Sequence, residues 1–373
     1  MSVADKKRLV FISNMAAPYQ VKFCYELQKL FVAEFWFHVY IEPNRPRWWM
    51  IDLGDKCKIL RHVLFKKHGR YLSFEIFSEL KRFDPDIILL GGFGMLTNIL
   101  AYWWGKAHGR KVLLLAETYR GSVDSPANAT LRRKGFHTAF LHALYRKVDG
   151  VLATNAAAEK QMRDQFQFKK VTTVNYPADI DRYFEHPSRY GRLNFALLFG
   201  NRLVENYDPM TAIRVFAKIN KMYPLTTLRM NSSGPLYGRC KDLIRDLGLE
   251  GRVDFLDQIS SWDAMGKIYC DSDILVLPAK FSNGNFTVVE AMASGMGIVV
   301  SDQILELPNG FTNEQNGFIC PPTVDSFVTA VSKYLSNPKL FDLQLWPNRE
   351  LVRKYTLHDT AILFANRIDE VSA

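Results

Sequence analysis

The segment whose residues are most suited to forming a binding site is FSNGNFTVVEAMASG, residues 281–295. A loop of small polar residues follows an apolar run and leads into a helical pattern over residues 287–294. The first turn of a helix presents backbone N–H groups and the positive end of the helix dipole, which together suit a phosphate. Glu290 lies three residues after Thr287. Its carboxylate could accept hydrogen bonds from a vicinal diol such as a ribose, or could close a capping box with Thr287.

Strand and helix patterns alternate along the whole chain and would hold this loop in place. Apolar strand patterns occur at residues 8–14, 35–41, 86–92, 111–117, 150–155, 171–177, 194–200, 226–234, 253–257, 273–279 and 297–302. Helix-length patterns lie between them, and such alternation is typical of parallel sheets covered by helices. The polar stretch 177–192 contains two prolines and is typical of a linker. We therefore predict an α/β protein with two consecutive doubly wound, Rossmann-like domains, residues 1–190 and 191–354.

Ligands of such sheets bind beyond the carboxyl ends of the strands. With two domains of this kind, we expect the binding site in a cleft between them. No Gly-x-x-x-x-Gly-Lys phosphate loop, Gly-x-Ser-x-Gly elbow or His-Glu-x-x-His pattern occurs, which argues against P-loop ATPases and the usual hydrolases.

The charge of the 373-residue chain is unevenly distributed. Residues 1–190 carry 30 Lys and Arg against 18 Asp and Glu, whereas the remainder carries 18 against 20. A basic half indicates a phosphate-bearing partner, which could be nucleic acid, anionic lipid or a phosphorylated ligand, or it could be only a solvated face.

The pattern 131–147 interleaves aromatic side chains with the basic residues Arg132, Arg133, Lys134, Arg146 and Lys147. Such a pattern suits an anionic bilayer surface, stacking on nucleic acid, or core aromatics beside a charged face.

Several classes of site are not expected. The five cysteines are scattered and never form Cys-x-x-Cys, so we expect reduced thiols and a cytoplasmic protein. No apolar run reaches the ~18 residues of a membrane-spanning helix.

Three Asp-x-Asp patterns occur, at 84–86, 179–181 and 271–273. The first and third precede strands, at the wrong end of a parallel sheet, so we expect turn and cap residues there and no metal ion or cofactor held by the protein.

The run from Glu290 to Gly295, Glu-Ala-Met-Ala-Ser-Gly, resembles the signature of the retaining glycosyltransferases of the GT-B fold, specifically the large GT4 family, the glycosyl transferases group 1. The segments Gly200–Glu205, Gly297–Ser301 and Asn316–Phe318 resemble the family's neighbouring motifs. The resemblance implies two Rossmann-like domains that face a central cleft, with the first domain binding the acceptor and the second the donor. It also implies a final helix, within about residues 355–373, that crosses back onto the first domain.

The resemblance further implies roles for individual residues. Glu290 would hold the ribose of a nucleotide sugar, a UDP- or GDP-sugar, and Arg202 would pair with its pyrophosphate. Glu117 stands where many relatives carry a His that faces the donor sugar, and would be catalytic together with Arg202 and Glu290. The remaining donor-binding residues would be Gly200, Lys280, Ser282, Asn285, Phe286 and Thr287. The reaction would be a retaining, metal-independent transfer of the sugar.

Two positions depart from the family pattern. The family's first Glu falls on Ser282, and its second phosphate cation falls on Tyr207, although Lys280 could substitute. Two functions follow. The first is a transferase at the inner face of the cell membrane that extends a lipid-linked, lipopolysaccharide or polysaccharide acceptor and binds no nucleic acid. The second is a catalytically degenerate GT-B protein that binds a nucleotide or glycan or acts as a scaffold.

Overall fold

The computed structural model describes residues 6–42, 45–61, 71–92, 94–118, 143–257, 259–282 and 286–372. The chain divides into two compact units. The first comprises residues up to Pro177 together with those from Leu357 onward, and the second is Ala178–Thr356. Each unit is a parallel sheet with helices packed against it, which confirms the predicted α/β class.

The first unit contains a seven-stranded sheet. Its strands are β1 (Arg8–Met15), β2 (Val32–Val39), β3 (Cys57–Ile59), β4 (Ile87–Gly91), β5 (Lys111–Ala116), β6 (Gly150–Ala153) and β7 (Val171–Thr173). Their order is β3-β2-β1-β4-β5-β6-β7, and the paired strands are parallel. The helices are α1 (Pro18–Leu27), α2 (Glu75–Phe83), α3 (Leu96–Ala107) and α4 (Ala156–Asp164). Alternate strand residues enter two separate apolar cores, one on each face of the sheet.

The second unit contains a six-stranded sheet in the order β10-β9-β8-β11-β12-β13. Its strands are β8 (Ala196–Phe199), β9 (Thr227–Asn231), β10 (Val253–Leu256), β11 (Ile274–Leu277), β12 (Gly297–Ser301) and β13 (Phe318–Cys320). The helices are α5 (Pro209–Met222), α6 (Tyr237–Asp246), α7 (Met265–Cys270), α8 (Phe286–Ala293), α9 (Val324–Ser336) and α10 (Lys339–Arg353). The central strands β8, β11 and β12 are buried throughout, as expected for a sheet covered on both faces.

The final helix, α11 (Leu357–Ser372), belongs to the first unit, as predicted. It packs against α1, β6 and β7. The ring of Phe364 lies 5.1 Å from that of Phe23. A Cβ atom at Gly150 would lie 2.6 Å from the side chain of Val371, so only glycine at residue 150 lets the helix pack this closely.

All of the segment predicted as a linker, 177–192, except Pro177 is part of the second unit, so the chain passes from the first unit to the second between residues 177 and 178 and not near residue 190. Ile180 and Tyr183 are buried in the core of this unit. Arg189 is fully buried and donates to the carbonyl oxygens of Ser272, Tyr269 and Ser294. Three buried side chains therefore fix a stretch whose overall composition is polar.

Candidate functional site

The site lies at the carboxyl edge of the second sheet, where β8 and β11 are neighbours. Gly200 directly follows β8, and α8 begins a few residues after β11. A Cβ atom at Gly200 would lie 3.0 Å from Cγ2 of Thr287. The absence of a side chain at residue 200 thus lets the loop after β8 approach the first turn of α8.

Arg202 lies on this loop and is half-buried. The loop is held by main-chain hydrogen bonds, since Leu203 N donates to Ser233 O at 2.8 Å and Leu236 N to Leu203 O at 3.1 Å. The Nε atom of Arg202 is buried without a hydrogen-bond partner, and none of the described carboxylates forms an ion pair with this guanidinium. Because a buried N–H group without a partner is costly, the arrangement suits an anion that binds from outside the chain.

Lys280, the expected substitute for the second cation, has a partner within the chain. Its Nζ lies 3.2 Å from Oδ2 of Asp208, the N-cap residue of α5, which also accepts from the hydroxyl of Thr211 at 2.9 Å. The Lys280 N–H donates to Asn206 O at 2.8 Å. Tyr207 packs against the core of the unit. Among the described residues, the ammonium group of Lys280 therefore already forms an ion pair with the carboxylate that caps α5.

Ser282 is buried, and its main chain pairs with a segment that follows β12. It forms a parallel β-bridge with Ile304, and Leu305 N donates to Ser282 O at 2.9 Å. Asn285 lies outside the described residues. Phe286 and Thr287 open α8, one residue earlier than predicted, so Glu290 sits just beyond the first turn of the helix.

Glu290 is half-buried, and its carboxylate accepts a hydrogen bond from another helix. The hydroxyl of Tyr269, on α7, donates to Oε2 of Glu290 at 2.5 Å. Burial raises the pKa of Glu290 to about 7, while the Tyr269 hydrogen bond and the nearby charge of Arg182 oppose the rise and Asp179 adds to it. The Tyr269 bond gives Glu290 a partner outside its own helix, unlike a side chain that only closes a capping box.

Tyr269, Tyr183 and Arg182 surround Glu290 and were not expected from the sequence. The ring of Tyr183 lies 5.1 Å from that of Tyr269, and the Arg182 guanidinium lies over the Tyr183 ring at 5.1 Å. Tyr269 is 21 residues from Glu290, and no spacing pattern links the two. Tyr183 and Arg182 fall in the stretch that the composition assigned to a linker.

Glu117 directly follows β5, at the carboxyl edge of the first unit's sheet. Its side chain is exposed and hydrogen-bonds with Tyr176. The pKa of Tyr176 is raised by burial and by the charges of Tyr19 and Glu117. The predicted role of Glu117 toward a donor sugar stays a prediction.

The basic patch is described only in part. Arg132, Arg133 and Lys134 lie outside the described residues, and Arg146 and Lys147 are exposed. The neighbouring Tyr145 is buried against Tyr102, with ring centroids 5.1 Å apart.

The second Asp of two Asp-x-Asp patterns binds a main-chain N–H group at the start of a strand. Asp86 accepts from Arg8 N at 2.8 Å, and Asp273 accepts from Ala196 N at 2.7 Å. Within the described ranges, no three His, Cys, Asp or Glu side chains are grouped so that they could hold a metal ion. None of the helices seen in those ranges is both long and apolar enough to cross a bilayer.

The family model of the glycosyl transferases group 1 matches residues 187–344. An uncharacterized glycosyltransferase of Methanocaldococcus jannaschii is 30% identical over 142 residues, which are 38% of this chain and 36% of that protein. The chain thus aligns with little more than a third of this relative's length.

Solved structures of similar fold cover nearly the whole chain. Sucrose-phosphate synthase from Thermosynechococcus elongatus has a TM-score of 0.74 at 15% identity, over 98% of this chain and 99% of that one. Anabaena HepE, solved with UDP and glucose, has a TM-score of 0.70 at 13% identity, over 97% of this chain and 99% of that one. Residues 187–344, in the second unit, are therefore similar to the glycosyl transferases group 1, and the chain has the GT-B fold that its resemblance implied.

Proposed function

We propose that this protein transfers a sugar from a nucleotide sugar to an acceptor hydroxyl, with retention at the anomeric carbon. One observation carries the proposal. A half-buried carboxylate, Glu290, and a guanidinium without a carboxylate partner in the described chain, Arg202, belong to the two segments that meet at Gly200 and Thr287. A nucleoside diphosphate offers a ribose diol and a pyrophosphate, which are the groups that these two side chains bind best.

The proposed transfer depends on stabilising the negative charge that develops on the leaving diphosphate. As the bond between the anomeric carbon and the phosphate oxygen breaks, its electron pair stays on the diphosphate. Arg202 and the N–H groups at the start of α8 can stabilise this developing charge without a metal ion. Glu290 would hold the ribose and so fix the diphosphate against these donors. HepE, a protein of the same fold, was solved with UDP and glucose, which supports a uridine nucleotide as the first donor to test.

We further propose that the acceptor is lipid-linked or a lipopolysaccharide or polysaccharide, and that the protein works at the inner face of the cell membrane. The support is the net charge of +12 in residues 1–190, together with exposed Arg146 and Lys147. Basic residues near a membrane surface gain about 1 kcal/mol each from anionic lipid. Glu117 would face the donor sugar during transfer.

The test is a thermal-shift screen of UDP, GDP and their sugars, followed by transfer assays on Arg202→Ala. Loss of a charge-assisted hydrogen bond of ~1.5–3 kcal/mol should lower the transfer rate at least about tenfold, with the melting temperature unchanged. Arg245→Ala is the matched control, because Arg245 is exposed and pairs only with Asp242 among the described residues. Equal rates for the two variants would remove Arg202 from the proposed site.

A second candidate function is a catalytically degenerate nucleotide- or glycan-binding module. Two observations favour it. Ser282 is buried in a β-bridge where the family carries a Glu, and Lys280 is engaged by Asp208. Nucleotide binding without any sugar transfer or hydrolysis of the nucleotide sugar would support this function over the transferase.

A further inference from the structure

The carboxylate of Glu290 is held by a chain of hydroxyl groups. Tyr269 donates to Oε2 of Glu290 at 2.5 Å, and Thr287 hydrogen-bonds with the same phenol. Burial, together with the neighbouring charge of Glu290, raises the pKa of Tyr269 well above its ordinary value, so the phenol keeps its proton. A phenol has one proton to donate, and here it goes to the carboxylate.

The main chain fixes the geometry of this pair. Arg189 donates to the carbonyl oxygen of Tyr269 at 2.6 Å and also to that of Ser294, at the end of the helix that carries Glu290. One buried guanidinium therefore holds the ends of both α7 and α8. The main chains of the two helices are therefore tied together independently of the hydrogen bond between the phenol and the carboxylate.

Besides Arg189, the charged and titratable groups that the described residues place near the pair lie on the segment 179–186 or pair with it. Arg182 donates to Asp263 and lies 3.6 Å from Asp179, whose Oδ2 also accepts from the indole N–H of Trp262 at 2.7 Å. Tyr183 packs on Tyr269, and His186 lies 5.6 Å from Tyr183, ring to ring. Arg182 is largely neutralised by its two carboxylates, which leaves the Tyr269 hydroxyl as the direct stabiliser of ionised Glu290.

We propose that Tyr269 is a positioning residue for donor binding, whose hydroxyl favours the ionised form of Glu290 and orients it so that its second carboxylate oxygen faces the ribose. The inference rests on the proposed function for the identity of the ligand. Its physical core, control of the protonation of Glu290, concerns the free protein alone. Without the phenol, the same carboxylate would lose its closest donor and take up a proton at higher pH.

The first experiment measures the Glu290 pKa in the free protein by carbon-13 NMR of labelled glutamate carboxyls. The Glu290 signal is assigned by its absence from Glu290→Gln. Tyr269→Phe should raise the titration midpoint by about one unit or more. Tyr334→Phe is the matched control, because it removes another buried phenol that contacts Gln344 and Ile298 in the same unit. An unchanged midpoint in Tyr269→Phe would overturn the proposal.

The second experiment measures UDP and GDP affinity of the full chain against pH. If protonation of Glu290 blocks binding, a one-unit shift from about 7 makes Tyr269→Phe about eightfold weaker than the parent near pH 6.5 and less than about twofold weaker near pH 8.5. In the Glu290→Gln background the same substitution should have no further effect. A loss that is equal at both pH values, or that persists without the carboxylate, would show a merely structural role.

The two experiments distinguish a failure of the positioning role of Tyr269 from a failure of the proposed function. If neither diphosphate binds the parent protein, the proposed function fails, and the NMR midpoint still decides whether Tyr269 controls Glu290. If the diphosphate binds and the midpoint does not move, the positioning role fails and the proposed function stands.

Discussion

Glu290→Gln should weaken nucleotide binding while leaving the fold as stable as before or more stable. The substitution keeps the size of the side chain and leaves one carbonyl oxygen for the Tyr269 hydroxyl, which now donates to Oε2 at 2.5 Å. What disappears is the negative charge and one acceptor. A ribose hydroxyl would then meet an amide N–H where it met a carboxylate oxygen.

The size of the effect follows from the bond that is lost. A hydrogen bond to a charged group is worth ~1.5–3 kcal/mol, so the dissociation constant for a nucleoside diphosphate should rise roughly 10- to 150-fold. The loss should be similar for the diphosphate and for the nucleotide sugar, because the contact is to the ribose and not to the transferred sugar.

The effect of Glu290→Gln on the stability of the fold differs in direction from its effect on nucleotide binding. In the folded protein the pKa of Glu290 is raised from 4.5 to about 7, so folding takes up a proton at this residue between those values. The stabilising contribution of the protonated carboxyl is complete below about pH 4.5 and is lost as the pH rises to about 7. Gln cannot ionise, so Glu290→Gln should remove this part of the pH dependence and match or exceed the parent's melting temperature near pH 8.

The assay combines calorimetric titration of UDP and GDP with melting curves from about pH 5 to pH 8. Glu250→Gln, an exposed glutamate in the same unit, controls for the change of net charge. Parent-like affinity in Glu290→Gln would refute the ribose contact. A fall in its melting temperature near pH 8 would refute the argument from burial.

Arg189→Ala should destabilise the second unit by ~3 kcal/mol or more, because it removes the buried guanidinium that donates to three carbonyl oxygens, and chemical denaturation should report this as a lower midpoint with an unchanged slope; an unaltered midpoint would contradict the burial of the guanidinium. The full chain should sediment with vesicles that contain acidic lipid, and Arg146→Ser with Lys147→Ser should weaken this by about fivefold per charge at low salt. Equal sedimentation with neutral vesicles would contradict an electrostatic contact.

The fold could be predicted because the buried strands are long apolar runs with helical patterns between them. The two strands that the patterns did not predict, β3 and β13, are three residues long, too short for a period to show. The polar stretch 177–192 was misjudged because composition averages over its residues, whereas the buried side chains of Ile180, Tyr183 and Arg189 decide where it packs.

The placement of the candidate-site residues was predictable to the extent that these residues follow strands directly. Gly200 and Arg202 come after β8, and the helix that carries Glu290 comes after β11, so chain order places them at one edge. The partners of these residues were not predictable. Tyr269 reaches Glu290 and Asp208 reaches Lys280 from other helices, and only the packing of those helices brings the atoms together.

The discontinuous course of the first unit affects how the chain can fold during synthesis. Its last helix, α11, is made only after residues 178–356, the whole of the second unit. At ~5–20 residues per second, ribosomes would need about 10 to 40 seconds to reach α11 after Pro177. During that interval, while the second unit is being made, Phe23 and the Gly150 face of the sheet lack the helix that covers them. Nascent chains should therefore present an open apolar face of the first unit to chaperones until α11 is made.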